Sequence, residues 1–118
     1  MITSKEKIIE HFKSGIKEIK DLKIGIEHEK FLFNNKDNKR IDYTKIKEMF
    51  SALQEFGWKA VVEKGNIIGL NNTGKNISLE PGNQIELSGD KLNHIHEACA
   101  ESQDYLFELR QVTKKLNL

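Results

Sequence analysis

Four glutamates stand out by their spacing. Glu27 and Glu29 lie two apart in Glu27-His28-Glu29-Lys30, and Glu80 and Glu86 bracket Glu80-Pro-Gly-Asn-Gln-Ile-Glu86. In an extended strand, alternate residues project to one side, about 6.5–7 Å apart. Glu27 and Glu29 would then stand side by side, with Phe31 and Phe33 continuing that side. Paired carboxylates repel, and repel harder beside an apolar wall, unless a cation sits between or next to them. Magnesium, which takes oxygen ligands, suits such a pair. In the second segment, a register that survives Pro81–Gly82 puts Glu80, Gln84 and Glu86 on one polar face and Leu79, Ile85 and Leu87 on the other. On spacing alone, each segment also describes the solvated side of a sheet, and that alternative stays open. Together, two strands with paired carboxylates and little counter-charge suit a cup for several magnesium ions bridging triphosphate oxygens.

Other chemistry-bearing residues carry less. His94 and His96 are two apart, a spacing that does not put both on one helical face. His11 reads as a surface residue. Cys99 falls on an apolar seam and reads as a small core residue. Gly65-Asn-Ile-Ile-Gly-Leu70 lacks the Lys-Ser/Thr ending of a phosphate-binding loop, and no nucleophile elbow is present. With a single cysteine, no internal disulfide can form.

The elements that must position these glutamates follow from periodicity. Thr3 to Lys20 reads as a helix, with Thr3 and Glu6 spaced as a capping box and Ile8, Ile9, Phe12, Ile16 and Ile19 along one side. Lys23 to Phe33 reads as a strand, followed by a polar loop through Arg40. Asp42 to Phe56 is the clearest amphipathic helix: Asp42 caps it, Ile46, Met49, Phe50, Leu53 and Phe56 form its stripe, and Gly57 stops it. Trp58 to Leu70 reads as a hairpin around Lys64-Gly65-Asn66. A second turn, Asn71 to Lys75, leads into Ile77 to Ser88, expected as two short strands or one bulged strand. Leu92 to Leu116 reads as a long helix with the seam Leu92, Ile95, Cys99, Leu106, Leu109 and Leu116.

The chain has 118 residues, 37% hydrophobic and 31% charged, with 19 Lys and Arg against 18 Asp and Glu. That near-balance supplies no field to draw nucleic acid or an anionic membrane. The lysines from Lys5 to Lys23 are interleaved with acids and read as a solvated helix face. No apolar run is long enough to span a bilayer, and the first residues do not form a secretory signal. The default location is therefore cytoplasmic. One domain, or part of one, fits the length.

Two long segments resemble a known family. Ile24-Gly-Ile-Glu-His-Glu-Lys-Phe31 is similar to the segment that opens the catalytic sheet of glutamate–cysteine ligases of the plant and proteobacterial type. Ile77-Ser-Leu-Glu-Pro-Gly-Asn-Gln-Ile-Glu-Leu-Ser-Gly89 resembles their second acidic segment. Gly57-Trp58, Asn66-Ile-Ile-Gly-Leu70 and His96-Glu-Ala-Cys-Ala-Glu101 fall in the same order. The chain departs at Ile26, where the family has a small or hydroxyl residue, and at Leu32 and Asn83, where it has glycine.

The resemblance implies an α+β, glutamine-synthetase-like catalytic fold, here partial. Its curved antiparallel sheet, flanked by helices, holds Mg2+ and ATP phosphates. It implies Glu27, Glu29, Glu80 and Glu86 as metal ligands. It implies a reaction in which ATP phosphorylates the side-chain carboxylate of glutamate and the amine of cysteine attacks the acyl phosphate, giving gamma-glutamylcysteine, the first step of glutathione synthesis. Family enzymes are several times longer, so residues 1–118 are expected to be the N-terminal part of a ligase catalytic domain. The chain is expected to lack activity alone, and to self-associate where a missing C-terminal portion would pack. Two alternatives stand beside this reading: another carboxylate–amine ligase of the same superfamily, or a non-catalytic binding or structural module that kept the sheet.

Overall fold

The computed structural model describes residues 4–118. Five antiparallel strands form a sheet: β1 Glu27–Lys30, β2 Lys59–Glu63, β3 Asn66–Asn72, β4 Lys75–Glu80 and β5 Gln84–Ser88. Their spatial order is β1-β5-β4-β3-β2. Strands β2 to β5 are a meander, and β1, first in sequence, adds beside β5 at the far edge. The turns fall where the backbone goes left-handed. Lys64 and Gly65 have φ of 49° and 81°, the two-residue hairpin with both central residues at positive φ. Gly82 and Asn83 have φ of 75° and 59°. Asn83 thus accepts the left-handed geometry that glycine takes freely, and its side-chain amide donates to the Ile41 carbonyl at 3.2 Å.

Three helices accompany the sheet: α1 Lys5–Ser14, α2 Tyr43–Leu53 and α3 Ile95–Leu116. Asp42 caps α2 by accepting from the Lys45 amide, and a 3-10 turn, Gln54–Phe56, carries the chain to Gly57 at φ 88°. The expected α2 stripe packs as read: Ile46, Met49, Phe50 and Leu53 are buried. They meet Leu70, Ile77, Ile85 and Leu87 from the sheet and Tyr105, Leu109 and Val112 from α3. The α+β class with helices against an antiparallel sheet is therefore observed. No helix among the described residues is long and apolar enough to cross a membrane.

Three elements differ from expectation. The first helix is shorter: Ser4 accepts from the Lys7 amide at its start, and the chain leaves the helix at Gly15. Thr3 lies outside the described residues. None of the α1 residues is buried, and Phe12, Ile16 and Ile19 are largely exposed, because no other described element covers the stripe. The Lys23–Phe33 strand is paired with β5 only over Glu27–Lys30. Ile24 bridges Leu92 and Phe33 bridges Arg40 instead.

The α3 seam is shifted. Its buried residues are Ala98, Glu101, Tyr105, Leu109 and Val112, whereas Ile95 is 65% exposed. Leu106 is only partly buried and Cys99 is exposed. Cys99 is therefore not a core residue. The leucines suggested one phase, but packing against α2 and the sheet selects the face that carries Tyr105, Leu109 and Val112.

Candidate functional site

Strand pairing brings the four glutamates to one face. Glu29 lies directly across from Glu86, and Glu86 directly across from Ser78; Glu27 lies across from Ser88, and Glu80 across from Gln84. Cross-strand partners share a side of the sheet. Glu27, Glu29, Glu80 and Glu86 therefore stand on three adjacent strands, together with Ser78, Gln84 and Ser88. The opposite side carries Ile77, Ile85 and Leu87 into the core. Glu27 and Glu29 are exposed, and Glu80 and Glu86 are half-buried.

Each half-buried carboxylate is held by a serine on its own strand. Ser78 Oγ donates to Glu80 Oε1 at 2.8 Å, and Ser88 Oγ donates to Glu86 Oε1 at 3.3 Å. None of the ion pairs among the described residues includes any of the four glutamates. Like charges directly opposite on neighbouring strands are destabilising. The donor set is all oxygen, as a hard divalent cation requires. In the described residues no three acidic, histidine or cysteine side chains converge closely enough to hold one ion. The face gathers the carboxylates but does not by itself close a coordination shell.

The far side of β1 is packed rather than exposed. The His28 ring meets Tyr105 of α3 edge-on with centroids 6.3 Å apart, and Lys30 Nζ lies 5.9 Å from the Tyr105 ring centroid. Burial pushes the Tyr105 phenol well above its usual pKa, with the nearby Glu108 charge adding to the shift. His28 Nδ1 and the Tyr105 hydroxyl are both buried without a hydrogen-bond partner.

Two structural supports beside the acidic face escaped the sequence reading. Glu101, only 8% exposed, accepts from the Asp90 amide at 3.1 Å, while Gly89 N–H donates to the Ile26 carbonyl at 2.8 Å. A Cβ at Gly89 would collide with the Glu101 carboxylate and come within 2.9 Å of Ile26 Cγ1. Glycine there lets the α3 carboxylate reach the end of β5 and hold it against the chain entering β1. A charged residue at helical spacing between Ala98 and Tyr105 was the available signal. The second is Arg40, whose guanidinium carbon lies 4.3 Å from the Phe31 ring centroid. Nothing in the sequence pointed to it, because the contact depends on how the loop returns.

Comparison with known proteins adds a second line of observation. A family model described as glutamate-cysteine ligase family 2 (GCS2) matches residues 23–118. The chain is 38% identical over 116 residues to glutamate–cysteine ligase A, chloroplastic, of Oryza sativa subsp. japonica, covering 98% of this chain and 24% of that protein. It is 38% identical over 116 residues to the chloroplastic glutamate–cysteine ligase of Nicotiana tabacum, covering 98% of this chain and 22% of that protein. The corresponding protein of Arabidopsis thaliana is 37% identical, with 98% of this chain and 22% of that protein covered. The chain thus spans about a quarter of the length of the curated relatives it matches. The cytoplasmic expectation is overturned by these matches, whose relatives are named as chloroplastic. It had rested on the lack of a secretory or membrane signal, and a folded domain carries no address in its own packing.

Proposed function

The chain belongs to glutamate-cysteine ligase family 2, and we propose that it supplies the acidic sheet of an ATP-dependent glutamate–cysteine ligase, as part of a glutamine-synthetase-like catalytic fold. The observation that carries this is the direct opposition of Glu29 and Glu86 on a face that also bears Glu27 and Glu80. Such a face is costly as bare surface and favourable when divalent cations lie on it.

On this reading Glu27, Glu29, Glu80 and Glu86 hold Mg2+, and the ions supply charge neutralisation for the phosphates of ATP. Ser78 and Ser88 keep Glu80 and Glu86 turned along their strands, so the carboxylates need little reorganisation on binding. Gly89 and Glu101 hold β5 to the chain entering β1, which maintains the alignment of Glu29 with Glu86. The remaining ligands, and the groups that bind glutamate and cysteine, belong to a longer polypeptide. The uncovered stripe Ile8, Ile9, Phe12 and Ile16 is, on the same reading, a packing surface for that polypeptide, and it drives self-association of the isolated chain. A clean monomer by light scattering at high concentration would overturn the self-association.

The test is a chimera in which this chain replaces the matched 116 residues of the rice relative. It is expected to form gamma-glutamylcysteine in the presence of ATP and Mg2+. Glu29→Gln or Glu86→Gln should lower kcat by about 100-fold or more, the scale of removing a transition-state charge stabiliser. A folded, active chimera indifferent to both substitutions would overturn the assignment.

A further inference from the structure

Arg40 stands on the open side of the sheet. It is the bridge partner of Phe33, while Ile41 next to it is buried in the core. Its side chain therefore shares the side of Phe31 and Phe33, and hence of Glu27 and Glu29. The guanidinium is held twice. It lies over the Phe31 ring, 4.3 Å from the centroid, and one terminal nitrogen donates to the Gly82 carbonyl.

Both anchors sit at one end of the acidic face. Phe31 follows Glu29 by two residues, about 7 Å along an extended chain, and Gly82 lies in the turn two residues past Glu80, no more than about 7.6 Å away at the backbone. Arg40 thus lies within roughly 10 Å of both carboxylate-bearing positions. Among the described residues it makes no ion pair with any carboxylate. A guanidinium has five N–H donors in a planar fork, and the Gly82 carbonyl occupies one. The unused donors match two oxygens of a carboxylate or a phosphate. The Phe31 ring, 49% exposed, covers one side of the guanidinium with apolar surface that weakens competition from water.

We propose that Arg40, clamped between Phe31 and Gly82, is the anion-binding end of this face. It receives the oxyanion of a ligand whose other oxygens are carried by cations on the glutamates. The inference rests on the metal reading above, since no oxyanion would approach four bare carboxylates. The shared chemistry is a two-oxygen anion, and it has two sources: a nucleotide phosphate or a substrate carboxylate.

The test uses the rice chimera described above, which supplies the remaining ligands, with Mn2+ as the probe ion, followed by electron paramagnetic resonance. Inorganic phosphate and glutamate are titrated in separate arms. In wild type, at least one of these anions should bind only when Mn2+ is present. Arg40→Gln should weaken that anion by about 10- to 100-fold, as expected for loss of charge-assisted hydrogen bonds. Mn2+ affinity should stay within about twofold, since Arg40 touches no metal-bearing carboxylate. Arg40→Lys, which keeps the charge but not the fork, should fall between the two. The arm that weakens identifies the source. Unchanged anion binding in Arg40→Gln, with Mn2+ still bound through Glu29, overturns this inference alone. Mn2+ binding that is absent, or equal in Glu29→Gln, overturns the metal reading and this inference with it.

Discussion

Removing one charge from the Glu29–Glu86 pair should stabilise the metal-free chain. Residues directly opposite on antiparallel strands have Cβ atoms about 5 Å apart. Two unit charges at that distance repel by about 0.8 kcal/mol in water, and by about 3 kcal/mol at an effective dielectric of 20. Glu29 is exposed and Glu86 half-buried, so the true value lies near the lower bound, about 1 kcal/mol. Glu86→Gln removes the repulsion and keeps an oxygen for the Ser88 hydroxyl, which bonds Glu86 at 3.3 Å. For a domain of this size, 1 kcal/mol moves Tm by roughly 4 °C. Melts followed by circular dichroism, in EDTA and low salt, should therefore place Glu86→Gln about 4 °C above wild type. The gap should shrink in about 1 M NaCl, where the Debye length falls to about 3 Å. Mg2+ should narrow the gap: at about ten times Kd, wild type gains about 1.4 kcal/mol, and the variant gains less. A metal-free Glu86→Gln that melts at or below wild type, in low salt, would refute the reasoning.

Three further outcomes follow from packing and titration. Tyr105→Phe removes a buried hydroxyl with no partner, so urea unfolding should show unchanged or increased stability; a loss above about 1 kcal/mol would mean the hydroxyl is satisfied. Gly69→Ala would put a Cβ 2.7 Å from the Ile77 carbonyl, and the forced shift of β4 should cost about 1–3 kcal/mol in the same assay. At the start of α3, the Asn93 amide bonds the Glu97 carboxylate and holds its pKa below the ordinary 4.5. A depressed folded-state pKa means the stabilisation is complete above the unfolded value and is lost as pH falls through the folded one. The Tm difference between wild type and Glu97→Gln should therefore be largest near neutrality and vanish in acid.

Much of the fold was legible because its signals are local. Asp42, the apolar stripe through Leu53 and Gly57 mark α2 unambiguously, and each does the work its residue type suggests. The Lys64–Gly65 turn and the break after Glu80 likewise follow from which residues accept positive φ. The phase of α3 was not legible, because leucine and isoleucine occur on more than one side of it. Burial of Tyr105, Leu109 and Val112 is decided by the α2 and sheet residues they meet, not by the helix. Arg40 was missed for a related reason: its partners Phe31 and Gly82 are distant in sequence and meet only through the loop.

Within the first acidic segment, the sequence alone determined that Glu27 and Glu29 share a side, because strand geometry alternates with a period of two whatever surrounds it; for Glu80 and Glu86 the turn at Pro81–Asn83 and the pairing of β4 with β5 decided it. The sequence also marked the family, through the two segments that carry those carboxylates. Only the tertiary structure decided that β1 joins the sheet beside β5, and in the register that sets Glu29 against Glu86. A strand's alternation says nothing about which edge it will join. That choice depends on long-range burial, here of Ile85 and Leu87 beneath the sheet and of Glu101 behind its end.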